Sequence, residues 1–145
     1  MLFVPISDVF VDFLTGEGNA QPGLFALDLN NGDIRWEHVR SARCAERNCA
    51  AGLSAAITAT SELVFTSSLD GFIEVLAASD GELLWSFDTW KDFPTVNNIP
   101  TNGGSFDSHG PMVADDLLII SSGYGTFGQK GGNALLVFQL SGAAQ

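Results

Sequence analysis

Basic residues are scarce in this chain: six Lys and Arg stand against 17 Asp and Glu in 145 residues, a net charge of −11. That balance repels phosphate backbones, so nucleic acid is not an expected partner, and so little Lys argues against an anionic membrane surface. Long apolar runs are missing too. None approaches the roughly 18–20 residues that span a bilayer, so no membrane insertion is expected. No window keeps apolar residues at i, i+3, i+4 and i+7 for more than a turn, which argues against helices. Two Cys (Cys44 and Cys49) and two His (His38 and His109) are too few for a convincing zinc site.

What is present is a globular composition, 46% apolar, in the length of one domain. Met1–Ile6 is apolar but lacks the basic start of a signal peptide, and Asp8 and Asp12 interrupt it. It reads as a strand already under way, so the chain is expected to begin in the middle of a structure. The acidity otherwise serves solubility.

One phrase occurs twice. Ala26-Leu27-Asp28-Leu29-Asn30-Asn31-Gly32-Asp33-Ile34-Arg35-Trp36 recurs as Val75-Leu76-Ala77-Ala78-Ser79-Asp80-Gly81-Glu82-Leu83-Leu84-Trp85, with both Gly and Trp displaced by 49 residues. An apolar run, a turn closing on Gly and a second run ending in Trp describe a β-hairpin. A hairpin copied every 40–50 residues or so is the signature of a blade array. Gly32 and Gly81 supply the positive φ of tight turns. Trp36 and Trp85 are suited to cover an interblade seam while the indole N–H meets a carbonyl; cofactor stacking is the weaker alternative.

Strands are expected near 2–6, 24–28, 34–38, 55–59, 63–67, 72–77, 83–87, 111–114, 117–121 and 134–140. Labelled A to D from the inside of a blade outward, residues 55–87 make one complete blade. Strands B, C and D of a blade precede it, and A, B and C of another follow. The whole chain, 1–145, is therefore expected to be one partial β-propeller domain, with blade parts at about 1–40, 54–88 and 111–140. The A–B and C–D turns are tight, whereas most B–C and D–A connections are long (7–23, 39–54, 88–110 and 122–133). These two groups emerge on opposite faces, one plain and one decorated. Long loops in a compact fold are usually functional; solvated insertions are the alternative.

Ala26-x-Asp28-x-x-Asn31-Gly32-x-x-x-Trp36 resembles the tryptophan-docking repeat of pyrroloquinoline-quinone (PQQ) enzyme propellers. BamB-like assembly scaffolds carry similar repeats without a quinone. Longer segments resemble polyvinyl-alcohol-dehydrogenase-type quinoproteins: Cys44–Cys49 running into Gly52–Ala59, Ser86–Asn97, Gly103–Asp107, Ser121–Gly125 and Gly132–Phe138. The likeness corresponds to the C-terminal part of that family. It implies blades of an eight-bladed, periplasmic or secreted propeller that oxidises primary or secondary alcohols with PQQ and Ca²⁺. Its substrates would be small-molecule or polymeric alcohols, and its electron acceptor a protein such as a cytochrome c. The Cys-x-x-Cys-His motif of the haem c domain that many members carry is not in this chain.

Cys44 and Cys49 share one loop, and their spacing of five suits a structural disulfide in an oxidising compartment, worth about 2–3 kcal/mol. Adjacent cysteines contact the quinone in related alcohol dehydrogenases; four residues intervene here, so that role is not carried over. A PQQ site needs cations, polar hydrogen bonds, an aromatic platform and oxygen ligands for Ca²⁺. The decorated face offers Lys91 and Arg43 as cations, Asn97 and Ser105 as polar ligands, and Trp90 and Tyr124 as platforms. Asp107 is the candidate catalytic carboxylate, and the Ca²⁺ ligands are not assigned. For each, loop-ordering hydrogen bonds or a solvated charge is the competing reading, and Lys91 beside Asp92 reads equally as an exposed pair. His109 is expected to order the turn into strand A.

Ser105, Asp107 and His109 do not make a hydrolase triad, because no strand–elbow–helix context surrounds the serine. Gly123–Gly128 has dinucleotide-fingerprint spacing but opens no helix. Three readings stand: a piece of a PQQ-dependent dehydrogenase, a BamB-like scaffold making protein contacts, or a truncated product. About ten strands cannot close an eight-bladed ring. The isolated chain is therefore expected to lack catalysis and to associate with further blades or with itself.

Overall fold

The computed structural model describes residues 1–8, 20–41, 43, 50–125 and 129–139. Among the described residues there are twelve strands: β1 (Leu2–Ile6), β2 (Gly23–Leu27), β3 (Ile34–Val39), β4 (Thr58–Ala59), β5 (Leu63–Ser67), β6 (Phe72–Ala77), β7 (Leu83–Asp88), β8 (Asp92–Phe93), β9 (Thr101–Asn102), β10 (Met112–Ala114), β11 (Leu117–Ser122) and β12 (Ala134–Gln139). They form antiparallel sheets β1-β2-β3, β4-β5-β6-β7 and β10-β11-β12, with β8-β9 as a separate hairpin. The architecture is all-β: one complete four-stranded propeller blade flanked by three strands of a blade on either side.

The middle blade is recognisable by its burial. β5 and β6 are buried along most of their length, whereas β12 alternates between exposed and less exposed positions and β3 buries only Trp36. A strand covered on both faces reads as a continuous apolar run, and one covered on a single face alternates. On β5, Val64 enters a core with Leu24, Ala26, Trp36 and Leu76, while its neighbour Phe65 enters a second core with Ile73, Val75, Phe106, Leu118 and Ile120. The period of two in a strand thus builds two interblade cores from one sheet.

The repeated phrase forms two matching hairpins. β2–β3 and β6–β7 carry the same register irregularity, at Ala26/Leu27 and at Val75/Leu76. Gly32 N donates to Asp28 O and Gly81 N to Ala77 O, each at 2.9 Å, with φ of 79° and 77° at the two glycines. The Asp of the first copy accepts from Asn30 N (2.8 Å) and Arg35 Nε (3.0 Å), and these contacts hold its carboxyl below the usual range. In the second copy Ala77 replaces it, and Asp80 braces the turn instead by accepting from Glu82 N at 3.0 Å.

The two tryptophans differ in setting. Trp36 is buried, its Nε1 donates to Ala78 O across the seam at 3.1 Å, and its ring lies over Gly81, where an added Cβ would sit 2.6 Å from Cε3. Phe3 covers it from the same blade, with centroids 5.6 Å apart. Trp85 is 36% exposed and meets the edge of Phe138 at 5.2 Å. The turn that would follow β12 lies outside the described residues.

Two elements depart from the strand expectations. The strand expected at 55–59 is only Thr58–Ala59, and the connection 88–110 contains the β8–β9 hairpin, pairing Asp92 with Asn102 and Phe93 with Thr101. Two residues per strand offer no alternation to read.

Gly81→Ala combines left-handed strain with collision against Trp36, and Gly32→Ala meets strain alone, because nothing lies within 4 Å of its Cβ position. Urea unfolding should give about 1–2 kcal/mol lost for Gly32→Ala and distinctly more for Gly81→Ala. Trp36→Ala should cost about 3–5 kcal/mol. Equal losses for the two glycine variants would contradict the dock.

Candidate functional site

The ends of β3, β5, β7 and β11 and the starts of β4 and β10 share one face of the blades. Three groups of side chains occupy it.

The first lies in the seam between the first two blades, and only its Arg43 is among the sequence-derived candidates. Arg40, just past β3, places Nε 2.9 Å from Glu74 Oε2 and Nη2 3.3 Å from Asp70 Oδ1, and donates from Nη1 to Ala51 O at 2.9 Å. The side chains of Arg40, Asp70 and Glu74 are at most 2% exposed. Arg43 reaches Glu74 from outside, donates to Ser86 Oγ at 3.1 Å and lies 4.1 Å above the Phe72 ring. Two guanidiniums thus neutralise two carboxylates inside the fold, an arrangement that is costly unless every charge is paired. The available signal was Glu74 itself, a lone acid in the apolar run Phe72–Ala77.

His38 borders this cluster, with Nε2 3.7 Å from Glu74 Oε2. Burial, then Arg40 and Arg43, lower its pKa below 6.5. Glu74 does not reverse this, because its charge is engaged by both arginines.

The second group surrounds the approach to the inner strand β10. Thr89 Oγ1 donates to Gly71 O at 2.8 Å and lies 2.7 Å from Ser122 Oγ, which accepts from Gly104 N at 2.9 Å. An added Cβ would fall 2.1 Å from Thr89 O at Gly103 and 2.3 Å from Lys130 O at Gly104, so both glycines are required by close backbone approach. This is the physical content of Gly103-Gly104-Ser105-Phe106-Asp107. Ser105 is 1% exposed and its hydroxyl has no hydrogen-bond partner among the described residues, while its N donates to Lys130 O and its carbonyl accepts from Gly123 N. Phe106 bridges to Tyr124, and the exposed Tyr124 ring stands edge-on to His109 at 4.9 Å. Ser108 Oγ lies 2.9 Å from His109 Nδ1. Tyr124 therefore stands against His109 and beside the segment that carries Ser105 and the half-buried Asp107.

The third group sits at the outer strand. Lys91 Nζ lies 4.2 Å above Phe87 on β7 and 5.6 Å from Phe93, capping an aromatic cluster that includes Trp85 and Phe138. Trp90 packs over Gly71, whose added Cβ would be 3.4 Å from two of its atoms. Asn97 accepts from Ile99 N at 3.3 Å at the tip of β8–β9. Lys91, Trp90 and Asn97 are held by these contacts and not within the Ser105–Tyr124 group. Cys44 and Cys49 lie outside the described residues.

Tryptophan-docked antiparallel blades with the long loops on one face are those of a partial β-propeller. The chain is similar to a polyvinylalcohol dehydrogenase of Pseudomonas sp., 32% identical over 153 aligned positions that cover 97% of this chain and 23% of that protein. It is also similar to one of Sphingopyxis sp. (strain 113P3), 29% identical over 136 positions that cover 84% of this chain and 21% of that protein. No family model matches the chain. The resemblance read from the loop motifs thus holds along nearly the whole chain, which spans under a quarter of the length of these relatives.

Two outcomes follow. Glu74→Ala leaves Arg40 buried without its closest partner and should cost about 3–5 kcal/mol in urea unfolding. For His38, a folded pKa below the unfolded one means that the unfolded state binds more protons. Its contribution is present above pH 6.5 and is lost as pH falls through the lower folded value. The thermal midpoint should therefore decline in that window, and His38→Gln should flatten the decline. An unchanged slope in the variant would contradict this.

Proposed function

We propose that this chain is the C-terminal segment of a PQQ-dependent, polyvinyl-alcohol-dehydrogenase-type quinoprotein. In the complete protein an eight-bladed ring oxidises primary or secondary alcohols in the periplasm or outside the cell. The observation that carries this reading is the similarity to two such dehydrogenases along most of the chain, and the bridge of the Ser105–His109 segment to Tyr124 at the approach to an inner strand supports it.

The donor set suits the polar and aromatic part of such a cofactor. A buried hydroxyl without a partner at Ser105 is costly unless something bonds to it, and Tyr124 offers an exposed phenol ring. When bound, PQQ supplies the two-electron acceptor for a hydride. Asp107 supplies the carboxylate that takes the alcohol's hydroxyl proton as the carbonyl product forms. His109 braces Tyr124.

The cations do not converge there: Arg43 pairs with Glu74 and Lys91 caps Phe87. Among the described residues no group of three His, Cys, Asp or Glu is assembled for a metal. The cofactor's carboxylates and the Ca²⁺ would therefore draw on other blades, and the electrons would pass to an acceptor such as a cytochrome c.

The complete protein reconstituted with PQQ and Ca²⁺ should reduce a redox dye with primary or secondary alcohols, and Asp107→Asn should lower kcat by about 10²–10⁴-fold. No dye reduction under any metal condition, or full activity in Asp107→Asn, would overturn this assignment. The first of these results would favour the scaffold reading.

A further inference from the structure

The β8–β9 hairpin is not accounted for by the blades or by the candidate site. It leaves the outer strand at Asp88 and returns to the inner strand through Gly103–Asp107, so its base is continuous with the proposed catalytic segment. Its tip exposes apolar side chains: Val96 is fully exposed and Ile99 is 55% exposed. The tip is nevertheless braced. Thr95 Oγ1 donates to Ile99 O at 2.9 Å, and Asn98 N donates to Thr95 O at 3.3 Å with Asn98 at φ 56°. Asn133 clamps the base, donating from N to Asn102 O at 2.9 Å and accepting Asn102 N at 3.1 Å. An apolar tip held rigid from within loses little freedom on binding.

Its chemistry is also distinct. The 14 residues from Phe93 to Phe106 carry no charge, in a chain whose net charge is −11. Methyl-bearing side chains alternate there with hydroxyls and amides. A charged partner finds no complement on such a surface. A neutral chain that alternates methylene with carbinol carbons finds both apolar contact and hydrogen bonds.

We propose that the β8–β9 hairpin tip, through Val96 and Ile99, is a docking finger for a neutral polyhydroxy polymer of the polyvinyl alcohol kind, which it holds across the approach to Asp107. This rests on the alcohol-oxidising reading above. Asp107 lies five positions along the chain from Asn102, a reach of at most about 17–18 Å when extended. A polymer can touch both the finger and the catalytic segment; a small alcohol engages the latter alone.

The test uses the complete protein and its Val96→Asp/Ile99→Asp double variant, with Leu29→Asp as a control on the plain face, where Leu29 is 69% exposed. Exposed substitutions of this kind shift stability by about 0.5 kcal/mol or less, and circular dichroism checks the fold. Electrophoresis through gels containing polyvinyl alcohol should retard the native protein and Leu29→Asp, with the double variant's apparent affinity about tenfold weaker. The ratio of kcat/KM for polyvinyl alcohol to that for a small secondary alcohol should fall by a similar factor.

Equal retardation of native and double variant, or no retardation of the native protein, would overturn the inference. So would a self-association by light scattering that the double variant abolishes while polymer binding persists. Retardation through the finger in a protein that oxidises no alcohol would refute the proposed function and leave the finger standing. Alcohol oxidation with unaltered polymer affinity in the double variant would do the reverse.

Discussion

The contact on which the rest depends is Trp36 lying over Gly81 with its indole N–H on the carbonyl of Ala78. One aromatic ring covers the seam between two sheets, satisfies its only polar atom and reads the absence of a side chain at one position. The seam core of Leu24, Ala26, Val64 and Leu76 closes on the same line. At the decorated end of that seam, the buried Arg40, Asp70 and Glu74 add an ionic clasp that Arg43 brings to neutrality from outside. Apolar docking and ionic pairing thus secure the same two blades, and the loops above them inherit a fixed base.

Blade stacking also explains the faces left uncovered. Met112, Ile119 and Val137 form a cross-strand row on the third sheet, with Met112 and Val137 more than half exposed. Leu2, Ile6 and Val39 are likewise exposed on the first sheet. These are faces of the kind a further blade covers, and the relatives are more than four times as long as the portion matched here. The proposed catalytic role accordingly belongs to the longer protein proposed above.

Much of the fold was legible because its signals are local. Gly32 and Gly81 mark turns by their freedom at positive φ, and the apolar runs before them mark strands whose register and irregularity then repeat. What escaped was non-local. Arg40 is 30 or more residues from Asp70 and Glu74 and meets them only when blades stack. Lys91 beside Asp92 reads as an exposed pair, yet Phe87 draws its ammonium onto an aromatic face. Ser105 reads as a loop hydroxyl, and the close approach of Gly103 and Gly104 to their neighbours buries it. The β8–β9 ladder is too short to show a pattern, and Asn133, far along the chain, completes it.

Native-state hydrogen exchange, compared between central strands, tests the central claim most directly. β2, β5, β6 and β11 are each hydrogen-bonded on both edges, but β5 and β6 alone belong to a blade with neighbours on both faces. If interblade burial holds the fold together, amides of β5 and β6 will exchange slowest, and those of β2 and β11 will open at distinctly lower free energy. Equal protection across the four strands would show that each sheet is stable by itself, and would contradict the account.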